Sequence, residues 1–410
     1  MSEAPVRLLL FDDRVARTWE PFALTRPVGE LLFGCLTLRQ RAERALELPF
    51  AGYLGCAELE GFEEPDAGRV LLEAPDPSLP RLFLCSRAVP AWHAHITFPD
   101  HPAAVEVDGR VLGWYAPAGS PQPPAEFLAR PGEAPAPRER LTLPGCCLDA
   151  VWELIGRNAG QLEVDFRALA PSTGEPAITG QFAAVGSPAG RLRVGRRVTI
   201  EPGVVLDFAA GPIWLDDDVV IHAFTRLAGP AYIGPRSTLL GGHVGAVSVG
   251  PACKVQGELV DSVVLGYSNK SHGGFLGHSY LGRWVNIGAQ TANSNLKNNY
   301  GTIRIWTPSG MVDTGSIKLG CLLGDHVKTA IGTLIGTGTV VGAGSNLFGA
   351  EAPAAFVPPF SWGSRAGAAY DPDRFLETAA AAMGRRDLAL SPAMRGMLRR
   401  AWDRGRGWAG

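Results

Sequence analysis

Two histidines and five asparagines crowd into residues 270–301: His272 and His278, then Asn286, Asn293, Asn295, Asn298 and Asn299. An imidazole exchanges protons near neutral pH, and a primary amide donates and accepts hydrogen bonds at once. Around them run short apolar-glycine steps, Leu276-Gly277, Leu281-Gly282 and Ile287-Gly288. That is the rhythm of a hexapeptide β-solenoid, one short strand and one tight turn per repeat. Polar corner side chains are not needed to build such a solenoid, so this stretch is where function is best sought. Asparagines in β-helices also form stacked ladders and left-handed corners, and Asn293, Asn295 and Asn298 are read that way. His278 is read as structural or supporting. A zinc site needs three converging histidines, and His222, His243, His272, His278 and His326 share no spacing that predicts one.

The elements that must hold these residues follow from the period. Apolar residues fall six apart at Val194, Ile200 and Leu206. They recur at Leu215, Ile221, Leu227, Ile233 and Leu239, at Val249 and Val255, and then with Thr329 between Leu323, Ile335, Val341 and Leu347. An α-helix requires a 3.6 period and would not tolerate the glycines that follow many of these positions. Six residues per side and three strands per coil predict a triangular parallel β-helix filled with aliphatic side chains. Residues 290–318 break the rhythm and predict a loop inserted between coils.

Upstream, Val6–Phe11 predicts a buried first strand, a helix is expected near 30–46, and Leu82–Cys85 reads as a central strand. Asp108-Gly109 between two β-like runs signals a hairpin, 116–140 a surface loop, and 149–168 has helical spacing. Alternating strands and helices predict an α/β domain of the Rossmann-like kind. The tail from 351 reads as an extended strap, followed by a helix opening at Asp371-Pro372 and expected to serve as a cap or return helix for the open solenoid end. The domain expectation is 1–188, 189–350 and 351–410.

At 410 residues, two or three domains are expected. A formal charge of −2 supplies no basic field for nucleic acid. Seven cysteines without a CxxC pair read as small buried thiols in a reducing compartment. No signal-like start and no membrane-length apolar run are seen, so the chain reads as cytoplasmic.

More specific are Lys254-Val-Gln-Gly-Glu258, Gly266-Tyr-Ser-Asn-Lys-Ser-His272, Phe275-Leu-Gly-His-Ser-Tyr-Leu-Gly282, Val285-Asn-Ile-Gly288 and Asn298-Asn-Tyr-Gly301. With Leu24-Thr-Arg-Pro27 and Phe360-Ser-Trp-Gly363, they resemble the bifunctional UDP-N-acetylglucosamine pyrophosphorylase/glucosamine-1-phosphate N-acetyltransferase family, in its divergent bacterial branch. The resemblance is strong over 249–363 and loose over 6–170. It implies a nucleotidyltransferase-like domain, a left-handed β-helix acyltransferase domain and a homotrimer with acetyl-CoA between subunits. The implied substrates are a sugar-1-phosphate, a nucleoside triphosphate and acetyl-CoA, in the synthesis of a cell-wall precursor of the UDP-N-acetylglucosamine type.

Carried over by residue, His272 matches the general base and Glu258 the carboxylate that orients it. Asn286, Asn299 and Tyr300 match sugar-binding positions, and the backbone N–H groups of Gly288 and Ala289 would face the oxyanion. Phe275 stands where the family places a tyrosine, and Val260 stands in the register of its sugar-phosphate lysine. Lys254, Lys270 or Arg304 are the candidates to replace that charge. In the N-terminal half the family's glycine-rich phosphate loop is absent. Arg26, with Arg14 and Arg17, is expected to bind phosphate instead, and Asp12 and Asp13 to hold Mg²⁺. Two other readings stay open. One is nucleotidyl transfer alone on a trimerising solenoid; the other is a trimeric β-helix scaffold without turnover.

Overall fold

Leu8, Leu9, Leu10 and Phe11 are all but sealed from solvent, as a strand flanked on both sides must be. Their strand, Arg7–Phe11, pairs in parallel with Phe50–Leu54 and Arg81–Cys85. The computed structural model describes residues 5–169, 178–364 and 368–408; Met1 to Ala4, read above for a leader, lie outside the described residues. The six-stranded sheet continues through Arg110–Ala116, Ala103–Val107 and Arg140–Thr142, the first of these antiparallel to its neighbours. The expected hairpin is there, with Asp108 and Gly109 both at positive φ (53° and 70°). The helix expected over 30–46 starts later, at Leu38. Leu32–Phe33 and Leu36–Thr37 pair instead as a tiny hairpin around Gly34, and Thr37 with Gln40 forms a capping box at the helix start.

From Ile178 to Val357 the chain winds into a left-handed parallel β-helix of about 10 turns. Every rung position predicted from the six-residue period is buried, and all but Thr329 belong to one aliphatic stack. Coils stack in parallel at steps of about fifteen to eighteen residues, as in Lys254 on Asn269 and Val220 on Thr238. Buried serines close the corners: Ser268 Oγ donates to Gly266 O and accepts from Val285 N, each at 3.0 Å. That satisfies backbone groups the turns leave unpaired. Between Asn286 and its next partner Lys328 the register jumps, and the extra chain is the predicted insertion. It carries an antiparallel hairpin, Arg304–Thr307 with Gly310–Asp313.

The two halves share a buried seam. The segment after the first strand packs Phe22 against Tyr280 of the solenoid, ring centroids 4.7 Å apart. The Tyr280 hydroxyl accepts from Leu32 N at 2.7 Å and donates to Leu32 O at 3.1 Å.

At the far end, the strap itself lies on the last coil, with Phe356 and Val357 paired to Val340 and Val341. The helix expected there, as a cap or a return, is one of a returning pair. Two helices, Pro372–Gly384 and Pro392–Gly405, turn back along the molecule. Phe375, Leu376, Met394, Met397 and Leu398 pack into the core of the N-terminal sheet. Met383 packs with Tyr267 and Trp284 of the solenoid. Burying those apolar faces against two domains at once clamps them together. All seven cysteines are free, and six are buried.

Candidate functional site

Register places Thr238, Lys254, Asn269, Asn286, Lys328 and Asn346 in one column across successive coils. One position further on, Leu239, Val255, Ile287 and Leu347 point into the stack, because strand side chains alternate. Beside the column opens a cavity of 580 Å³, lined by Lys254, Ser271, His272, Asn286, Gly288 and Ala289 among others. Five residues read as chemical from the sequence therefore meet in one place, drawn from three coils.

His272 sits exposed on the corner loop that follows Asn269–Lys270. What fixes that loop is Lys270. Its register partner is the core residue Val255, so its side chain starts inward, where the stack otherwise wants an aliphatic group. The ammonium turns to the corner and donates to three carbonyls: Gln256 O at 2.6 Å, His272 O at 3.2 Å and Gly274 O at 2.7 Å. Burial pulls the Lys270 pKa down to about 8, with Glu258 opposing. The Lys270 ammonium is thus taken up by the corner's own carbonyls and is not free to serve as the substrate cation the sequence allowed it to be.

The two backbone groups expected at the oxyanion differ. Gly288 N–H donates to Thr329 Oγ1 at 2.9 Å and is not free. Among the described residues the Ala289 N–H has no acceptor, and it lines the cavity. Ala289 is the available donor.

Other expected residues lie elsewhere. Among the described residues no hydrogen bond joins Glu258 to His272. Glu258 stands on the flat of its strand, in register with His243 and Phe275, whereas His272 rides the corner. Asn299 and Tyr300 lie on the inserted loop, outside the cavity lining; Asn299 Oδ1 caps Gly301 N, and Tyr300 is 70% exposed. Arg304 lies on the inserted hairpin and donates to Met311 O at 3.0 Å, away from the cavity. His278 pairs with Asn295, Nδ1 to Nδ2 2.9 Å, and burial holds its pKa below the usual value. Asn293 is buried and bonded to both backbone groups of Gly277, the structural ladder expected of it.

The sequence reading missed the far wall. Arg385 and Arg386, at the end of the Pro372–Gly384 helix, line the cavity, and Arg386 Nη2 donates to Asn269 Oδ1 at 2.8 Å. A basic pair after a helix reads from sequence as a dipole-compensating end. Nothing in its spacing points to residue 269.

The N-terminal expectations need correction. Arg26 is fully buried, with Nε on Asp325 Oδ2 at 2.9 Å and Nη1 on Glu64 Oε2 at 2.8 Å. Arg283 joins Glu64 at 3.0 Å, so Arg26 is a tie between domains and cannot reach a nucleotide. Arg17 is engaged by Glu58 and Asp12. Asp13 gives one oxygen to Arg87 Nη2 at 2.6 Å and the other to Arg87 Nε at 2.9 Å and Ala16 N at 2.8 Å. Asp12 accepts from Val28 N at 3.0 Å, and burial raises its pKa despite Arg17. Asp13 is fully engaged, Asp12 keeps one buried oxygen without a partner, and among the described residues no third metal-ligating side chain gathers with them, so the pair does not make up a Mg²⁺ site.

An open cavity of 800 Å³ does lie past the ends of these strands. Arg14, Arg87, Arg110 and Arg130 line it, and Ser309 reaches it from the solenoid's hairpin. Among the described residues the Arg14 side chain has no partner.

Residues 8–173 match the sugar nucleotidyl transferase family. The bifunctional protein GlmU of Xylella fastidiosa is 30% identical over 194 residues, covering 41% of this chain and 39% of that protein. GlmU of Nitrosospira multiformis is 25% identical over 224 residues, covering 48% and 45%. A bifunctional sugar-1-phosphate nucleotidylyltransferase/acetyltransferase of Sulfurisphaera tokodaii is 30% identical over 91 residues, covering 22% and 23%. These matches make the chain similar to sugar nucleotidyl transferases over residues 8–173 and to GlmU-like proteins at modest identity. Its matches span less than half the length of these curated relatives. No described helix is long and apolar enough to cross a membrane.

Proposed function

We propose that this chain is a transferase that moves an acetyl group from acetyl-CoA to an amino-sugar phosphate in the His272 cleft. The supporting observation is the convergence of Lys254, His272, Asn286 and Ala289 on one cavity. In the reaction the amine nitrogen attacks the thioester carbonyl carbon, a C–N bond forms and the C–S bond breaks. His272 takes the amine proton, and the leaving thiolate is reprotonated to free coenzyme A. The Ala289 N–H holds the carbonyl oxygen as it gains charge. Asn286 orients the acceptor sugar, and Lys270 keeps His272 in place from behind.

The N-terminal half is read as a sugar-1-phosphate nucleotidylyltransferase domain of the UDP-N-acetylglucosamine type. Its ligand phosphates would sit in the arginine-lined cavity, with Arg14 the free cation. Mg²⁺, which such chemistry uses, is not assigned to Asp12 and Asp13. The family resemblance implies a homotrimer. Exposed Phe224 (85%), Ile331 (79%) and Leu334 (65%) on the solenoid support one, since apolar groups of that size favour burial between copies. In a trimer the loop with Asn299 and Tyr300 would be free to reach a neighbour's cleft.

A panel of nucleoside triphosphates and sugar phosphates, assayed for free thiol and pyrophosphate in the same samples, tests both halves. Thiol release with an amino-sugar phosphate supports the acyl reading. Pyrophosphate without thiol release would leave nucleotidyl transfer alone, and neither product would leave a scaffold.

A further inference from the structure

The cleft beside His272 continues past Asn269 and Asn286 into a second chamber of 180 Å³, lined by Tyr267, Trp284 and Lys328 and again by Arg385 and Arg386. Across both chambers the charged side chains are Lys254, Lys328, Arg385 and Arg386, with His272 beside them. No carboxylate lines either chamber, and among the described residues none of the four cations is in an ion pair. Elsewhere in the protein the buried guanidinium groups of Arg26, Arg41 and Arg87 are matched by acids, while that of Arg81 is held by the carbonyls of Pro75 and Ser120. Lys254 and Arg385 are exposed and Lys328 and Arg386 half-buried, so the four together give the cleft a positive charge that no carboxylate of its lining offsets, which suits an anion.

Packing brings the helix end that carries the two arginines to the cleft. Met383 is wedged with Ala252, Tyr267 and Trp284, which pins the helix end to the solenoid. Arg386 is then tied by Nη2 to Asn269 Oδ1 and, more loosely, by Nε to Ala252 O at 3.4 Å. Arg385 has no side-chain partner among the described residues. Lys328 Nζ donates to His326 O at 3.2 Å, and burial pulls its pKa down to about 8. An anion beside it would offset that desolvation by favouring the charged form.

We infer that Arg385 and Arg386, carried on the chain's own C-terminal helix, clamp a phosphate group of a substrate against Lys254 and Lys328. The inference rests on the acyl-transfer reading of the cleft and adds to it the residues that select phosphorylated substrates. They come from a wall supplied within one chain. The phosphate belongs either to coenzyme A or to the sugar; the chemistry of recognition is shared.

Calorimetric titration of the full chain separates the sources. The probes are coenzyme A, 3′-dephospho-coenzyme A, pantetheine and glucosamine-1-phosphate. They are run against wild type, Arg385→Ala and the double variant Arg385→Lys/Arg386→Lys, with thermal unfolding as the fold check. Arg385→Ala removes a side chain without a partner and should leave the melting temperature in place. It should weaken one phosphorylated probe by at least about 10-fold, the scale of a charge-assisted contact, and leave pantetheine unchanged. Loss confined to coenzyme A, or to the sugar phosphate, names the source. The double lysine variant should retain part of the affinity, because charge survives but the planar fork does not. Unchanged affinity for every probe in Arg385→Ala, with wild type binding and releasing thiol, overturns the clamp alone. A wild type that binds no probe and releases no thiol overturns the acyl-transfer reading with it.

Discussion

A lysine set where the stack calls for an aliphatic side chain must be compensated, and in Lys270 three carbonyl oxygens do this. One of them belongs to His272, which makes the buried ammonium the support of the proposed base. Replacing Lys270 with Met keeps the aliphatic bulk and removes the tie. The expected result is a fall of about 10- to 100-fold in kcat with a smaller change in KM, since a base displaced by a fraction of an ångström loses rate before binding. A pH signature accompanies it. Burial holds the Lys270 pKa at about 8 against 10.5 for an ordinary lysine. Below about 8 both folded and unfolded chains carry the proton, and the folded state bears the full desolvation cost. Between about 8 and 10.5 the folded chain sheds it first, so wild-type stability rises with pH through that window. Denaturant unfolding should show less of this rise in Lys270→Met, and an identical rise would remove Lys270 as its source. At this scale the sequence told half the story. That His272, Asn286 and Ala289 line one cleft could be anticipated because their motif is local. The filling of Gly288 N–H by Thr329, forty-one residues on, could not be.

Among the elements, the β-helix was the most legible, since a six-residue period fixes which side chains point inward without any knowledge of neighbours. The Asp108-Gly109 hairpin was read correctly for the same local reason. Arg26 shows where such reading stops. Its loop follows the first strand, where α/β folds present ligands, and from sequence it looked like a phosphate contact. Its partner Asp325 lies 299 residues away on the solenoid, a distance no local pattern spans. Arg26→Ala would leave Glu64 and Asp325 buried with one cation fewer. It should destabilise the protein by about 3–5 kcal/mol, the usual result of breaking a buried pair from one side. Differential scanning calorimetry checks this, and an unchanged profile would show that the seam does not depend on the tie. The C-terminal helices were likewise visible as helices, but their place was not, because an amphipathic face does not say which of two domains it will cover.

For the whole molecule, the halves are joined by the Arg26 network, the Phe22–Tyr280 contact and the two returning helices. The clamp by Arg385 and Arg386 gives the cleft a second wall within one chain, so a trimer is not required to enclose it. Exposed Phe224, Ile331 and Leu334 still predict association. Light scattering at micromolar concentration should give three times the chain mass, and Phe224→Glu with Leu334→Glu should lower it. A monomer in the wild type would contradict the trimer while leaving the cleft intact. His272 carries the proposed acetyl transfer most directly. Thiol release from acetyl-CoA with an amino-sugar phosphate should fall by about 100-fold or more in His272→Ala, the usual contribution of a positioned general base, with melting temperature unchanged. Thiol release at the wild-type rate in that variant would contradict the assignment of the cleft.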